Sequence, residues 1–186
     1  MDNETRHITP SAEAWERKAY LGLAIAIAVT VIVGFGLNAG RYNFNPSVFP
    51  AHVHLHGLVF MSWVALYVVQ CVVVVVGRVA WHRRLGVAGA ALAVMMLGLG
   101  LYTTVLCLQR GAVPPFFSPA LFLVIDGLGI IMFFVLVAAA ILVRQRSDWH
   151  KRLMLGATIL VTSPAIGRIL PMPLLGPWPV GRFTLQ

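Results

Sequence analysis

The chain has 186 residues, 59% of them hydrophobic and only 11% charged. A soluble domain carries about a quarter charged residues, so this composition excludes a disordered chain, a nucleic-acid-binding domain and an ordinary cytosolic enzyme. The net charge of +8 does not restore nucleic acid as a partner, because the basic residues lie in short clusters between long apolar runs.

Residues 1–18 are polar and hold four of the six acids. They lack the basic segment, short apolar core and small-residue cleavage site of a signal peptide, and read as a retained cytoplasmic tail. The first apolar run, 19–40, lies between Lys18 and Arg41 and is long enough to cross a hydrocarbon core of ~30 Å. Further spans are expected at 51–77, 86–109, 119–143 and 153–170. Asn43-Phe-Asn-Pro46 and Pro114-Pro115 stand where helices start or stop, and Pro119 suits a first helical turn, where its missing N–H costs nothing. Pro164 is expected to kink the last span and free backbone carbonyls. The segment 171–186 is Pro-rich and adds no further helix. The expected fold is an all-α membrane protein, a bundle of about five transmembrane helices.

Counting Lys and Arg by side orients the bundle. Arg6, Arg17, Lys18, Arg78, Arg83, Arg84, Arg144, Arg146, Lys151 and Arg152 share one side; Arg41, Arg110, Arg168 and Arg182 share the other. The first side, with the N-terminus, is therefore expected in the cytoplasm, and contact with anionic lipid accounts for the basic excess. A short repeat fits this layout. Trp81-His-Arg-Arg-Leu85 and Trp149-His-Lys-Arg-Leu153 precede the third and fifth spans, which suggests two related hairpins. Cys71 and Cys107 fall toward opposite ends of the bilayer and are expected to be free thiols.

Three histidines open the second span: His52, His54 and His56. His52 and His56 are four residues apart and share a helix face, the spacing at which two imidazoles grip one metal ion. His54 lies about 200° away from His52 on a helix and points elsewhere, unless the first turn is frayed. Asp126 is the one acid within any span. Counted inward at about 1.5 Å per residue from Pro119 and Pro50, Asp126 and His56 reach the same depth, roughly 10 Å. Tyr102, Thr103, Thr104 and Ser163 fall near that level. An ionisable residue inside a membrane is a functional-site hypothesis by default, and two imidazoles with a carboxylate suit iron, copper or zinc while leaving positions open. The competing reading pairs Asp126 with Arg168 and leaves the histidines as an interfacial cluster facing water. His82 and His150, each among basic residues beside a Trp, read as an interfacial belt, or alternatively as two axial ligands of a haem b on the cytoplasmic side.

The motifs together resemble a family of bacterial polytopic inner-membrane proteins whose function is not established. They are the HxHxHG helix start, Arg-x-x-x-His-Arg-Arg-Leu-Gly at 78–86, Pro114-Pro-Phe-Phe117, Asp126 in the membrane, and Asp148-Trp-His-Lys-Arg-Leu-Met154. The resemblance runs from about 48 to 177. It implies an all-helical fold and brings no reaction with it; relatives often continue with further helices after the Pro-rich segment. Membrane fatty-acid hydroxylases also use HxxxH boxes, but they need about eight histidines and this chain has six. Membrane zinc hydrolases related to alkaline ceramidases offer an analogy in which His52, His56, Asp126 and Ser163 hold and assist a zinc-bound water. Transmembrane b-type cytochromes resemble the chain in size and in the basic His-Arg loop. The expected function is an inner-membrane metalloprotein with a centre near the periplasmic face, in a redox or metal-handling role. A b-haem oxidoreductase, a zinc hydrolase and a non-catalytic subunit of a larger complex, or a homo-oligomer, are the alternatives.

Overall fold

In the computed structural model, residues 10–113 and 117–170 are described. The first part of the polar tail, the Pro114-Pro115 connector and the Pro-rich segment 171–186 lie outside them. Among the described residues there are six α-helices and no strand: α1 (Pro10–Arg41), α2 (Ala51–Val75), α3 (Val79–Gln109), α4 (Pro119–Leu142), α5 (Ser147–Leu160) and α6 (Ser163–Ile169). The first four are long and apolar enough to cross a membrane. Helix α2, with 25 residues, is ~37 Å long, which exceeds the hydrocarbon core.

The expected fifth span is two helices. Pro164 has no N–H to offer Leu160 and stands in the first turn of α6, so the chain breaks at Val161 and Thr162. The carbonyl of Leu160 is taken by the Ser163 hydroxyl at 3.1 Å, and Thr162 Oγ1 donates to Thr158 at 2.9 Å. Local hydroxyls thus supply what the proline removes.

Helices α1, α3 and α5 also begin earlier than the apolar runs predict. Pro10 opens α1, with Glu13 in its first turn, and the polar segment is held to the bundle by Lys151 of α5. That ammonium contacts Glu16 at 2.7 Å and lies 5.9 Å from the Tyr20 ring. Helix α3 follows α2 after a three-residue turn because Gly77 adopts φ +75°. Its N–H reaches Val74, and Arg78 N–H reaches Val73 at 2.7 Å, closing the last turn of α2 as a Schellman motif. Gly111, at φ +62°, ends α3 in the same way. Both Trp-His repeats therefore lie inside the first turns of α3 and α5 and do not precede those helices.

Neighbours in sequence pack side by side: α1 on α2, α2 on α3, α3 on α4 and α4 on α5, while α1 returns to meet α5 and α6. The ring closes with the broken pair as its fifth member. Its interior holds Trp63 of α2, Met96 of α3, Phe133 of α4 and Thr158 of α5, each at most 2% exposed. Helix α1 contributes only a narrow stripe, Ala24, Ile27, Val31 and Gly34, at helical spacing. Outward positions are apolar, with Leu142 80% and Val87 74% exposed. An apolar lateral surface of this extent marks a lipid bilayer environment. Cys71 and Cys107 are free.

Gly34 is where α1 meets α6 most closely. A Cβ there would stand 2.9 Å from the carbonyl carbon of Ala165 and 3.0 Å from its Cα, so backbone meets backbone and nothing can yield. Gly36, two residues on, has open space. Gly34→Leu is expected to lower the thermal unfolding midpoint of the detergent-solubilised protein clearly, while Gly36→Leu leaves it within error. Equal midpoints for both variants would contradict this packing.

Candidate functional site

At the end of the bundle away from the α2–α3 and α4–α5 turns, α2 opens after Pro50 with its three histidines. They go three ways. His54 is turned back onto the connector: its Nε2 donates to the Pro46 carbonyl at 2.9 Å, and its ring lies 6.5 Å from Phe49. It therefore fastens the 41–50 loop to α2 and stands off the face shared by the other two, as helical spacing predicts. His52 lies beside Tyr102 of α3, ring centroids 6.3 Å apart. His56, one turn deeper, stacks on Phe60 at 4.1 Å, and its Nδ1 is buried without a hydrogen-bond partner.

The charge of Asp126 of α4 acts on His56, as do those of Arg168 and His52, so the carboxylate and the imidazoles belong to the same end of the bundle. The carboxylate is held by Thr104 of α3, whose Oγ1 hydrogen-bonds Asp126 Oδ2 and also lies 3.0 Å from the Gly100 carbonyl. The hydroxyl has a single hydrogen and two acceptors within reach, the carboxylate and the carbonyl. Gly100 lets α3 and α4 approach, since a Cβ there would meet Ile130 Cγ1 at 2.8 Å.

Asp126 has no ion pair among the described residues. Arg168, its expected alternative partner, donates to the Pro164 carbonyl at 2.8 Å and lies 4.5 Å from the centre of the Phe35 ring. Its own carbonyl receives Arg41 at 3.3 Å. The two arginines thus tie α6 to the end of α1. Tyr102 is 55% exposed, while the Ser163 hydroxyl donates to the Leu160 carbonyl. Among the described residues no three His, Cys, Asp or Glu side chains are gathered into a group able to hold a metal ion. His52, His56 and Asp126 face one region without forming a closed ligand set.

The opposite end carries the second pair. His82 and His150 are each the fourth residue of their helices, α3 and α5, and their rings meet 6.1 Å apart, nearly perpendicular. Trp81 and Trp149 are half exposed on the outside, with Arg84 5.7 Å from the Trp81 ring. Adjacent helical residues point about 100° apart, so each Trp-His pair sends its indole outward and its imidazole inward. The belt expected from sequence is the work of the tryptophans and arginines alone.

No protein-family model, curated protein or solved structure matches the chain.

Sequence reasoning did not single out Gln70 of α2. Its Oε1 is buried without a partner, and its amide nitrogen lies 3.9 Å from where a Gly86 Cβ would be. An amide in an otherwise apolar run was the available signal.

The Thr104–Asp126 contact yields a measurable coupling. Thr104→Val strips a membrane carboxylate of its partner and is expected to cost about 1–3 kcal/mol. The same change in an Asp126→Leu background is expected to be nearly neutral, because both polar partners are then absent. Denaturant unfolding of the four proteins in one detergent gives the cycle; additive effects would mean the two side chains do not interact.

Proposed function

We propose that this chain is an integral membrane metalloprotein of the bacterial inner membrane with a redox or metal-handling role, its basic end in the cytoplasm. In this reading His52, His56 and Asp126 hold iron, copper or zinc near the periplasmic face. The observation that carries it is the buried, unpartnered Nδ1 of His56 in the field of the one carboxylate carried by the spans. An unsatisfied polar atom in an apolar bundle costs about 1–3 kcal/mol, and a carboxylate at that depth costs more. A bound cation relieves both at once, because the imidazole supplies a lone pair and the carboxylate supplies compensating charge. Two imidazoles and one carboxylate leave positions open on a transition metal, which suits ligand exchange or electron transfer better than a closed structural site.

His54 has no place in this ligand set, since its bond to the Pro46 carbonyl shapes the entry loop. Thr104 holds Asp126 and acts as an outer partner of the kind that orients metal ligands. Tyr102 beside His52 fixes that ring from the α3 side.

Metal content of the purified protein tests the proposal. The wild type is expected to carry stoichiometric iron, copper or zinc, and His56→Ala and Asp126→Asn are each expected to lose one equivalent while His54→Ala keeps it. Unchanged metal in His56→Ala and Asp126→Asn would refute the site. A cysteine placed in the 41–50 loop is expected to react with a membrane-impermeant maleimide from the periplasmic side; labelling only from the cytoplasmic side would reverse the orientation.

A further inference from the structure

The basic end of the bundle brings His150, His82 and Gln70 into one region. His150 Nδ1 donates to the Ala140 carbonyl of α4 at 2.8 Å; a carbonyl only accepts, so the proton is on Nδ1 and the lone pair of the neutral ring is on Nε2. For His150, a backbone carbonyl on Nδ1 with Nε2 left open is the outer-partner arrangement of metal-ligating histidines. His82 stands opposite, its ring near the backbone carbonyl of Gln70 and its Nδ1 buried without a partner. Gln70 adds the third group. Its unpartnered atom is the oxygen Oε1, and its side chain lies against Gly86, one turn along α3 from His82.

The chemistry of these atoms selects the ligand. An anion would be received by N–H groups, but the ring N–H of His150 is committed to a carbonyl and the unpartnered atom of Gln70 is an acceptor. The Nε2 lone pair of His150 and the Gln70 oxygen are acceptors, and acceptors bind a cation. The charge of the surroundings then limits that cation. Arg83 and the partner imidazole both act on His82, Lys151 follows His150 directly, and the N-termini of α3 and α5 contribute positive dipole ends. Neutral ligands in a positive field favour the lowest ionic charge. Spacing points the same way. Two metal–nitrogen bonds of about 2 Å, with a ring radius of about 1 Å at each end, put the centroids of opposed imidazoles about 6 Å apart. A tetrahedral angle at the metal would bring them closer. The observed 6.1 Å is the centroid spacing that a wide nitrogen–metal–nitrogen angle requires, the geometry of monovalent copper with few ligands. A haem would need the same axial spacing, but its macrocycle would have to part α2 from α3 and α4 from α5, which pack directly on one another here.

We infer that His82 and His150, with Gln70 beside them, form a second site at the basic end, which takes one monovalent copper ion. It stands independently of the His56–Asp126 reading, since the two sites share no residue.

The full-length protein in detergent, loaded anaerobically with Cu(I) against a chromophoric Cu(I) chelator, tests this. The His52→Ala/His56→Ala variant is expected to retain one tightly held equivalent. Its X-ray absorption spectrum is expected to show a low-coordinate Cu(I) with imidazole scattering. His82→Ala/His150→Ala is expected to lose that equivalent, with His150→Gln as the milder variant if the double one does not elute as a folded protein. Copper stoichiometry unchanged by either inner variant would overturn the site, as would a wild type that holds no Cu(I). A Soret band in the wild type that disappears in His150→Gln would also overturn it, by assigning the pair to a porphyrin. Failure of the outer centre alone appears differently: the His52→Ala/His56→Ala variant then has the metal content of the wild type.

Discussion

The indole of Trp63 holds the middle of this bundle together. Its N–H reaches Thr158 Oγ1 of α5 at 3.3 Å, its ring meets Phe133 of α4 edge-on at 4.9 Å, and Thr158 passes its own hydrogen to the Met154 carbonyl at 2.9 Å. A buried indole requires an acceptor, and the acceptor lies on a helix that the proline break cuts short. The bond therefore ties α5, which at 14 residues reaches only ~21 Å and cannot span a bilayer by itself, to a helix that can. With Met96 and Phe133 fully buried around it, the middle of the bundle is filled by large side chains, and polar chemistry is pushed to its two ends.

The same accounting explains the hydroxyls. Thr30, Ser62, Thr104, Thr158 and Thr162 each return a hydrogen bond to the carbonyl four residues earlier. In an apolar environment a hydroxyl has no water to turn to, and the helix's own backbone is the nearest acceptor. Two of these five do more. Thr158 also accepts from Trp63, and Thr104 also meets Asp126. Those two positions are where a helix-internal habit becomes a contact between helices.

Each end has its own logic. At one end a carboxylate and an imidazole approach from α4 and α2, with Thr104 of α3 between neighbouring helices. At the other, two imidazoles from equivalent positions of α3 and α5 meet, that of His150 held by the Ala140 carbonyl of α4. The Trp-His repeat was visible in the sequence, but its meaning was not. Whether His82 and His150 lie in the lipid interface or in the bundle depends on where α3 and α5 begin. Both helices start upstream of the apolar runs because the preceding turns close tightly, through Gly77 before α3. That shift carries the histidines into the first helical turn, where a neighbouring indole facing outward sends the imidazole inward.

Composition and run length determined, without any coordinates, that the chain is helical and apolar, that its first four long helices can cross a membrane, and that His54 points away from His52 and His56. Those properties follow from transfer energetics and the 3.6-residue period, which are local. That His56 and Asp126 belong to one end of the bundle was also legible, because rise per residue fixes position along a helix. Partner choice was not. That Arg168 turns to Pro164 and Phe35 in place of Asp126, that Thr104 reaches the carboxylate, and that Gln70 stands by His82 all depend on how helices rotate against one another. Depth is a coordinate along one helix; azimuth between helices is decided only when the closed ring packs.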